Sequence, residues 1–358
     1  MIESIPEYLK NKTDDELIEF IKEKKALHKE NIFILGHHYQ RDQIINLCDI
    51  KGDSFELAKR ASENENARFI IFCGVRFMAE AAAVLSKPHQ IVQHPDVTAG
   101  CPLADMADIN DVEIAWKELD KIVGTDNITP LTYMNSDTNL KAFCGKYNGS
   151  VTTSSNCKKI FEWYFDKKEK IFFFPDENLG MNTALSLGIS EEKILVWNPE
   201  KELGGNSEEQ IRNSKVILWN GFCHVHTFFT PEHVALARNN YPGIKIIVHP
   251  ESDRKVVDIV DENGSTAKII KYVEDAPEGS IIAVGTETNL VMRAARENPD
   301  KTVFPLHKSI CPNMMKIGLL DLAVTLEKLG NYNIVHVDEN SKKHARTALQ
   351  NMLDITAK

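Results

Sequence analysis

Three stretches of this chain repeat one order of parts, and that repetition constrains the fold more than any single motif does. Each begins with a short β-rich run ending in polar side chains: His37-His38-Tyr39, Tyr133-Met134-Asn135-Ser136 and His249-Pro250-Glu251-Ser252. A hydroxyl-bearing turn follows, Gly52-Asp53-Ser54, Thr153-Ser154-Ser155 or Gly264-Ser265-Thr266, and opens a helix-like pattern as an N-cap does. A second run ends in Cys73-Gly74, Pro175-Asp176 or Gly285-Thr286, and a third ends shortly before Cys101, Cys223 or Cys311. The spacings agree, with 20 residues from Ser54 to Gly74, 21 from Ser154 to Pro175 and 20 from Ser265 to Gly285. From there to the cysteine is 27, 48 and 26 residues, so the middle repeat carries about twenty extra, read as a surface insertion near 199–218.

Strand runs alternating with helical patterns predict parallel sheets joined by crossover helices. The expected fold is therefore α/β, with three homologous parallel-sheet α/β/α domains related by pseudo-threefold symmetry around a central site. The first repeat, with an N-terminal helix, spans 1–110, the second 111–227, and the third, with C-terminal helices, 228–358. In such units ligands bind beyond the carboxyl ends of the strands, where the polar residues above stand.

Charge and composition narrow the function. The 42 Lys and Arg against 52 Asp and Glu give a net charge of -10 with no basic patch, which argues against nucleic acid as a partner. No apolar run approaches the roughly 18–20 residues that span a bilayer. The opening MIESIPEYLKNKTDDELIEF mixes acids with periodic apolar residues, unlike a signal peptide, so a cytoplasmic chain is expected. Seven cysteines with no CxxC pair make a poor disulfide framework and point to a reducing compartment.

An isolated cysteine is ordinarily a small buried apolar residue. Equivalent placement in all three repeats singles out Cys101, Cys223 and Cys311, whereas Cys48, Cys73, Cys144 and Cys157 lack it. Three thiolates suit an iron-sulfur cluster or zinc and leave one coordination position open. Ser54, Ser154 and Thr266 at helix starts offer hydroxyls and unpaired N–H groups to carboxylates or phosphate. His37, Tyr39, Tyr133, Asn135, His226, His249 and Glu251 supply acid-base and hydrogen-bonding groups at or just past strand ends. A tris-thiolate zinc lyase or transferase acting on phosphorylated or dicarboxylic substrates fits these features too. So does a non-enzymatic iron-sulfur sensor, although no basic output surface is visible.

The ordered motifs GHHYQRD, KGDSFELA, CGVRFMAE, CPLADM, YMNSD, TTSSN, FFPDENLG, GFCHVH, VHPES, GST, GTETNL and CPNM resemble the quinolinate synthase family from about residue 30 to 316. The resemblance implies three α/β domains around a 4Fe-4S cluster held by Cys101, Cys223 and Cys311, with one open iron acting as Lewis acid. It implies condensation of iminoaspartate with dihydroxyacetone phosphate to quinolinate, phosphate and water in NAD biosynthesis, and a contact with the enzyme that supplies iminoaspartate. By motif, the substrate-binding positions are His37, Tyr39, Ser54, Tyr133, Asn135, Ser154, His226, His249, Glu251 and Thr266. Tyr39, His226 and Glu251 are the expected catalytic groups. Some family members carry Asn where this chain has His38. Others carry extra cysteines before the last ligand, where this chain reads HKSIC, so a redox switch in that segment is not expected.

Overall fold

The computed structural model describes residues 5–358. Three parallel sheets flanked by helices give the α/β architecture that the repetition predicts. They fall in two compact units, one of Met1–Cys101 with Ile310–Asp338, the other of Pro102–Ser309 with Glu339–Lys358. Among the described residues no helix is long and apolar enough to cross a membrane.

In the first unit β1 (Ile32–His37), β2 (Ile50–Gly52), β3 (Phe69–Cys73) and β4 (Ile91–Gln93) lie in the order β2-β1-β3-β4. Their residues are mostly β-branched or aromatic, and Ile34 registers with Ile71, so alternate side chains share one face. Ile32, Ile34, Ile71 and Cys73 pack there with Leu17 and Ile21 of the helix Asp14–His28 and with Leu319, Leu322 and Leu326 of the helix Leu319–Glu327. Each fully buried Ile or Leu contributes roughly 1.5–3 kcal/mol over an exposed one, enough to hold segments so distant in sequence together. Thr13 and Glu16 start the first of these helices with a reciprocal capping box.

The second unit holds two sheets. One contains β5 (Ile128–Tyr133), β6 (Ser150–Thr152), β7 (Lys170–Phe174), β8 (Ile194–Trp197) and β9 (Val216–Trp219) in the order β6-β5-β7-β9-β8. The other contains β10 (Lys245–Val248), β11 (Glu262–Asn263), β12 (Ile281–Gly285) and β13 (Thr302–Pro305) in the order β11-β10-β12-β13. Each sheet thus repeats the order second, first, third, last, with the middle sheet carrying one strand more.

The residues at 199–218, read as a surface insertion, follow that extra strand and are exposed over most of 199–210. β8 is an added edge strand registered on β9 through Leu195 and Ile217, and the helix Glu208–Asn213 returns the chain into β9. The polar residues of the segment face outward. Trp197, Ile211, Leu218 and Trp219 are buried beneath them. Gly204, at φ 66°, lies on the Trp197 ring, where a Cβ would come within 2.4 Å. The C-terminal segments, grouped with the third repeat by position, pack elsewhere. Ile310–Asp338 belongs to the first unit, and the helix Glu339–Ala357 packs on the helix Thr138–Lys146 and on β6 of the middle sheet. Gly145 makes that approach possible, because an added Cβ would meet the His344 carbonyl oxygen at 1.9 Å.

Candidate active site

His37 closes β1, Tyr133 closes β5, and His249 follows the last residue of β10, so the polar strand ends stand at the carboxyl edges of their sheets. In the second unit they build a buried network around Glu251. One oxygen, Oε2, lies 3.0 Å from His226 Nδ1 and 3.1 Å from His249 Nδ1. The two rings stack at 4.2 Å, 18° from parallel. A carboxylate only accepts, so each Nδ1 meets Oε2 as a donor only when it carries the ring proton, and the Glu251 backbone N–H also donates to His249 Nδ1 at 3.4 Å. His249 Nε2 lies 3.1 Å from the Ser154 hydroxyl and His226 Nε2 3.1 Å from the Thr286 hydroxyl. Two hydroxyl–imidazole relays thus share one carboxylate. Burial alone would raise the Glu251 carboxyl, but the two histidines reverse this and hold it below the ordinary carboxylate range. Cys223 Sγ, a His226 ring nitrogen and a Glu251 oxygen lie within 4.8 Å of one another.

Tyr133 and Asn135, at the end of β5, also belong to this unit. Tyr133 is buried, and the Asn135 amide oxygen is buried without a donor among the described residues. The loop that carries them is held by Lys141, a fully buried ammonium that donates to the Ser136 carbonyl and hydroxyl.

In the first unit Tyr39 stands edge-on to His37 with ring centroids 4.6 Å apart, and its backbone N–H donates to His37 Nδ1 at 3.2 Å. His37 therefore keeps its ring proton on Nε2. The next two residues latch this strand end to the turn after Cys311. Gln40 Nε2 reaches Met314 Sδ at 3.6 Å, and Arg41 Nη2 donates to the carbonyls of Met315 and Ile317 at 2.9 and 3.0 Å.

The hydroxyl-bearing helix starts differ from the expected N-caps. Asp53 caps the helix Ser54–Glu63 and Ser265 caps Thr266–Asp275, leaving Ser54 and Thr266 as first helical residues. Asp53 Oδ1 accepts the amides of both Phe55 and Glu56. Ser154 lies before the helix Cys157–Phe165, and its hydroxyl meets His249.

Cys101, Cys223 and Cys311 are half-buried, and each directly precedes a tight helical turn that follows the last-paired strand end of its repeat. Cys73, Cys144 and Cys157 are buried. The Cys73 thiol is raised by its hydrogen bond with Cys48 and by burial, Cys144 is raised by burial, and burial pushes Cys157 up to about 12.

Two site residues escaped the sequence reading, Asp176 and Thr286. Both follow the second major strand of their repeats, the position marked by Pro175-Asp176 and Gly285-Thr286, so the repeat alignment itself was the signal.

A family model described as Quinolinate synthetase A protein matches residues 19–354. A quinolinate synthase of Corynebacterium glutamicum is 46% identical over 356 residues, 98% of this chain and 90% of that protein. One from Listeria monocytogenes is 44% identical over 362 residues, covering 99% and 98%, and one from Rhodopirellula baltica is 43% identical over 363, covering 97% and 92%. A match of this extent means that the chain belongs to the quinolinate synthetase A family and is an enzyme of quinolinate synthesis.

Proposed function

We propose that the chain condenses iminoaspartate with dihydroxyacetone phosphate to quinolinate, phosphate and two waters, with a 4Fe-4S cluster held by Cys101, Cys223 and Cys311. The observation that carries this reading is the buried Glu251 carboxylate, shared by two imidazoles, beside the half-buried Cys223. This supports the reading because acid-base groups stand beside a thiol there. The three repeats, taken as 1–110, 111–227 and 228–358, each contribute one cysteine and one polar strand end.

The donor set fits such a cluster, since the three chosen thiols are half-buried at the heads of tight turns, Cys73, Cys144 and Cys157 are buried with ionisation disfavoured, and Cys48, half-buried too, is tied to Cys73 and the Ile44 carbonyl. When bound, a cluster on three thiolates supplies a Lewis-acidic iron with an open position. The chain's own groups bind anions and move protons. Ser54 and Thr266, at the first residues of their helices, offer hydroxyls beside unpaired amides to carboxylate or phosphate. His37, Tyr133 and Ser154 add donors, and the Asn135 amide oxygen accepts from an imine or hydroxyl of substrate. His249 orients Ser154, while His226, Glu251 and Tyr39 take and return protons during imine chemistry and dehydration. A single zinc on Cys223, His226 and Glu251 is less well supported, because both nitrogens of His226 already face other groups, Glu251 Oε2 and the Thr286 hydroxyl.

The test is to incubate anaerobically purified protein with iminoaspartate and dihydroxyacetone phosphate and to look for quinolinate by mass. Broad visible absorption of the same sample separates a cluster from zinc. Absence of quinolinate from protein that carries its iron would overturn the reading.

A further inference from the structure

Glu251 is held from a side that the two histidines do not touch, and the inference here rests on reading it as a proton-transfer group. Oε2 takes both imidazoles, whereas the buried Oε1 meets no donor among the described residues. Against this carboxyl lies that of Asp176, likewise fully buried. Asp176 Oδ1 accepts the Leu179 amide at 2.6 Å as the N-cap of the helix Glu177–Ser186, and its buried Oδ2 also meets no donor among the described residues. Two carboxylates are acceptors only and cannot satisfy each other, but a single proton makes one of them a donor.

Their surroundings decide which one carries it. Glu251 has two imidazoles that favour its charge, whereas Asp176 has one amide and faces Glu251, Glu177 and Cys157, none of them cationic. Burial first and then the Glu251 charge push the Asp176 carboxyl well above the ordinary range, while Glu251 lies below it.

We propose that Asp176 is a positioning residue kept as a carboxylic acid, which donates its proton to Glu251 and so fixes the carboxylate that His226 and His249 share. The aspartate works as a donor, the reverse of its usual part. A hydrogen bond from a neutral acid to an ionised carboxylate is among the stronger kinds. The proton stays in place through the reaction, and the two histidines keep the other oxygen.

The test compares Asp176→Asn with Asp176→Ala in the full, cluster-loaded chain. Asn preserves both contacts, its oxygen for the Leu179 amide and its N–H for Glu251, so quinolinate formation should stay within about three-fold of the parent. Ala removes both, and kcat should fall on the order of 10–100-fold, as for other residues that orient a reacting group, with KM little changed. If Asn fails as badly as Ala, Asp176 is an ionised acceptor and the proposal is overturned. A second measurement uses no substrate: the infrared spectrum near neutral pH should contain a protonated-carboxyl stretch that disappears in Asp176→Asn. Lack of that band in the parent would overturn the proposal as well. A parent that has the band but makes no quinolinate would instead overturn the functional reading and leave the proton on Asp176.

Discussion

His226 and His249 stack face to face and turn the same ring nitrogen to the same oxygen of Glu251. One carboxylate therefore sets the direction of both rings, and through them the hydroxyls of Thr286 and Ser154. Replacing it with an amide leaves the two rings one amide oxygen to share, with an NH2 group intruding as a donor. Glu251→Gln should lower kcat on the order of 100- to 10,000-fold in steady-state assays, the range for loss of a general acid or base. An unsatisfied buried donor should also reduce stability by about 1–3 kcal/mol in a thermal or denaturant melt. Turnover within a few-fold of the parent would reduce Glu251 to a structural anchor.

The cysteines divide by environment. Ser at Cys101, Cys223 or Cys311 should abolish the broad visible absorption and lower the bound iron, because three ligands leave none to spare. Ser at Cys144 or Cys157, both buried, should keep the iron, although each change puts a hydroxyl where a thiol packs. Iron analysis and absorption spectra of the five variants check this; a Cys311→Ser protein with full iron content would exclude Cys311 as a ligand.

Capping and anion binding fall on adjacent residues, so they can be separated. Asp53→Ala and Ser265→Ala should each lose about 1 kcal/mol of stability, the usual effect of removing a cap. Ser54→Ala should melt close to the parent yet weaken substrate binding by roughly 1.5–3 kcal/mol, the loss of a hydrogen bond to a charged partner. Calorimetric melts and substrate titrations of the same proteins give both numbers. Normal binding by Ser54→Ala would remove Ser54 from the site.

Acid sensitivity should come in part from His94. Burial lowers its pKa, and its Nε2 lies 2.8 Å from the Gly74 carbonyl oxygen. The folded ring stays neutral while the unfolded one takes up a proton below about pH 6.5, so the unfolded state binds more protons there and stability falls as the pH drops. Above that pH the contribution is fully present. His94→Gln should flatten the slope of stability against pH between about 5 and 7, whatever it does to the absolute value. An unchanged slope would assign the acid sensitivity to other groups.

Much of this site was legible because its parts recur at fixed spacing. The strand ends at His37, Tyr133 and His249 and the three turn-heading cysteines could be aligned without any knowledge of contacts. What spacing does not carry is which side chain of a turn makes the bond. Asp53 and Ser265 take the caps from their neighbours because each side chain reaches an amide two or three residues ahead, a matter of backbone angle. Asp176 and Thr286 are paired with Glu251 and His226 only by folding, since crossovers bring together residues 75 and 60 positions apart. β8 was hidden by the polar outer surface of the segment that follows it.

The discontinuous first unit bears on how the chain is made. Ile32, Ile34 and Ile71 emerge early from the ribosome, but their partners Leu319, Leu322 and Leu326 come last but for the final helix. Until then that face of the first sheet is covered only by the N-terminal residues Leu9, Leu17 and Ile21, while the strands of both other sheets are already synthesised. Domains generally fold in order of synthesis, and exposed apolar surface invites aggregation. Here the first unit waits for Ile310–Asp338 and the second for the helix Glu339–Ala357, so a nascent chain arrested after β13 should leave both cores open to proteases and chaperones.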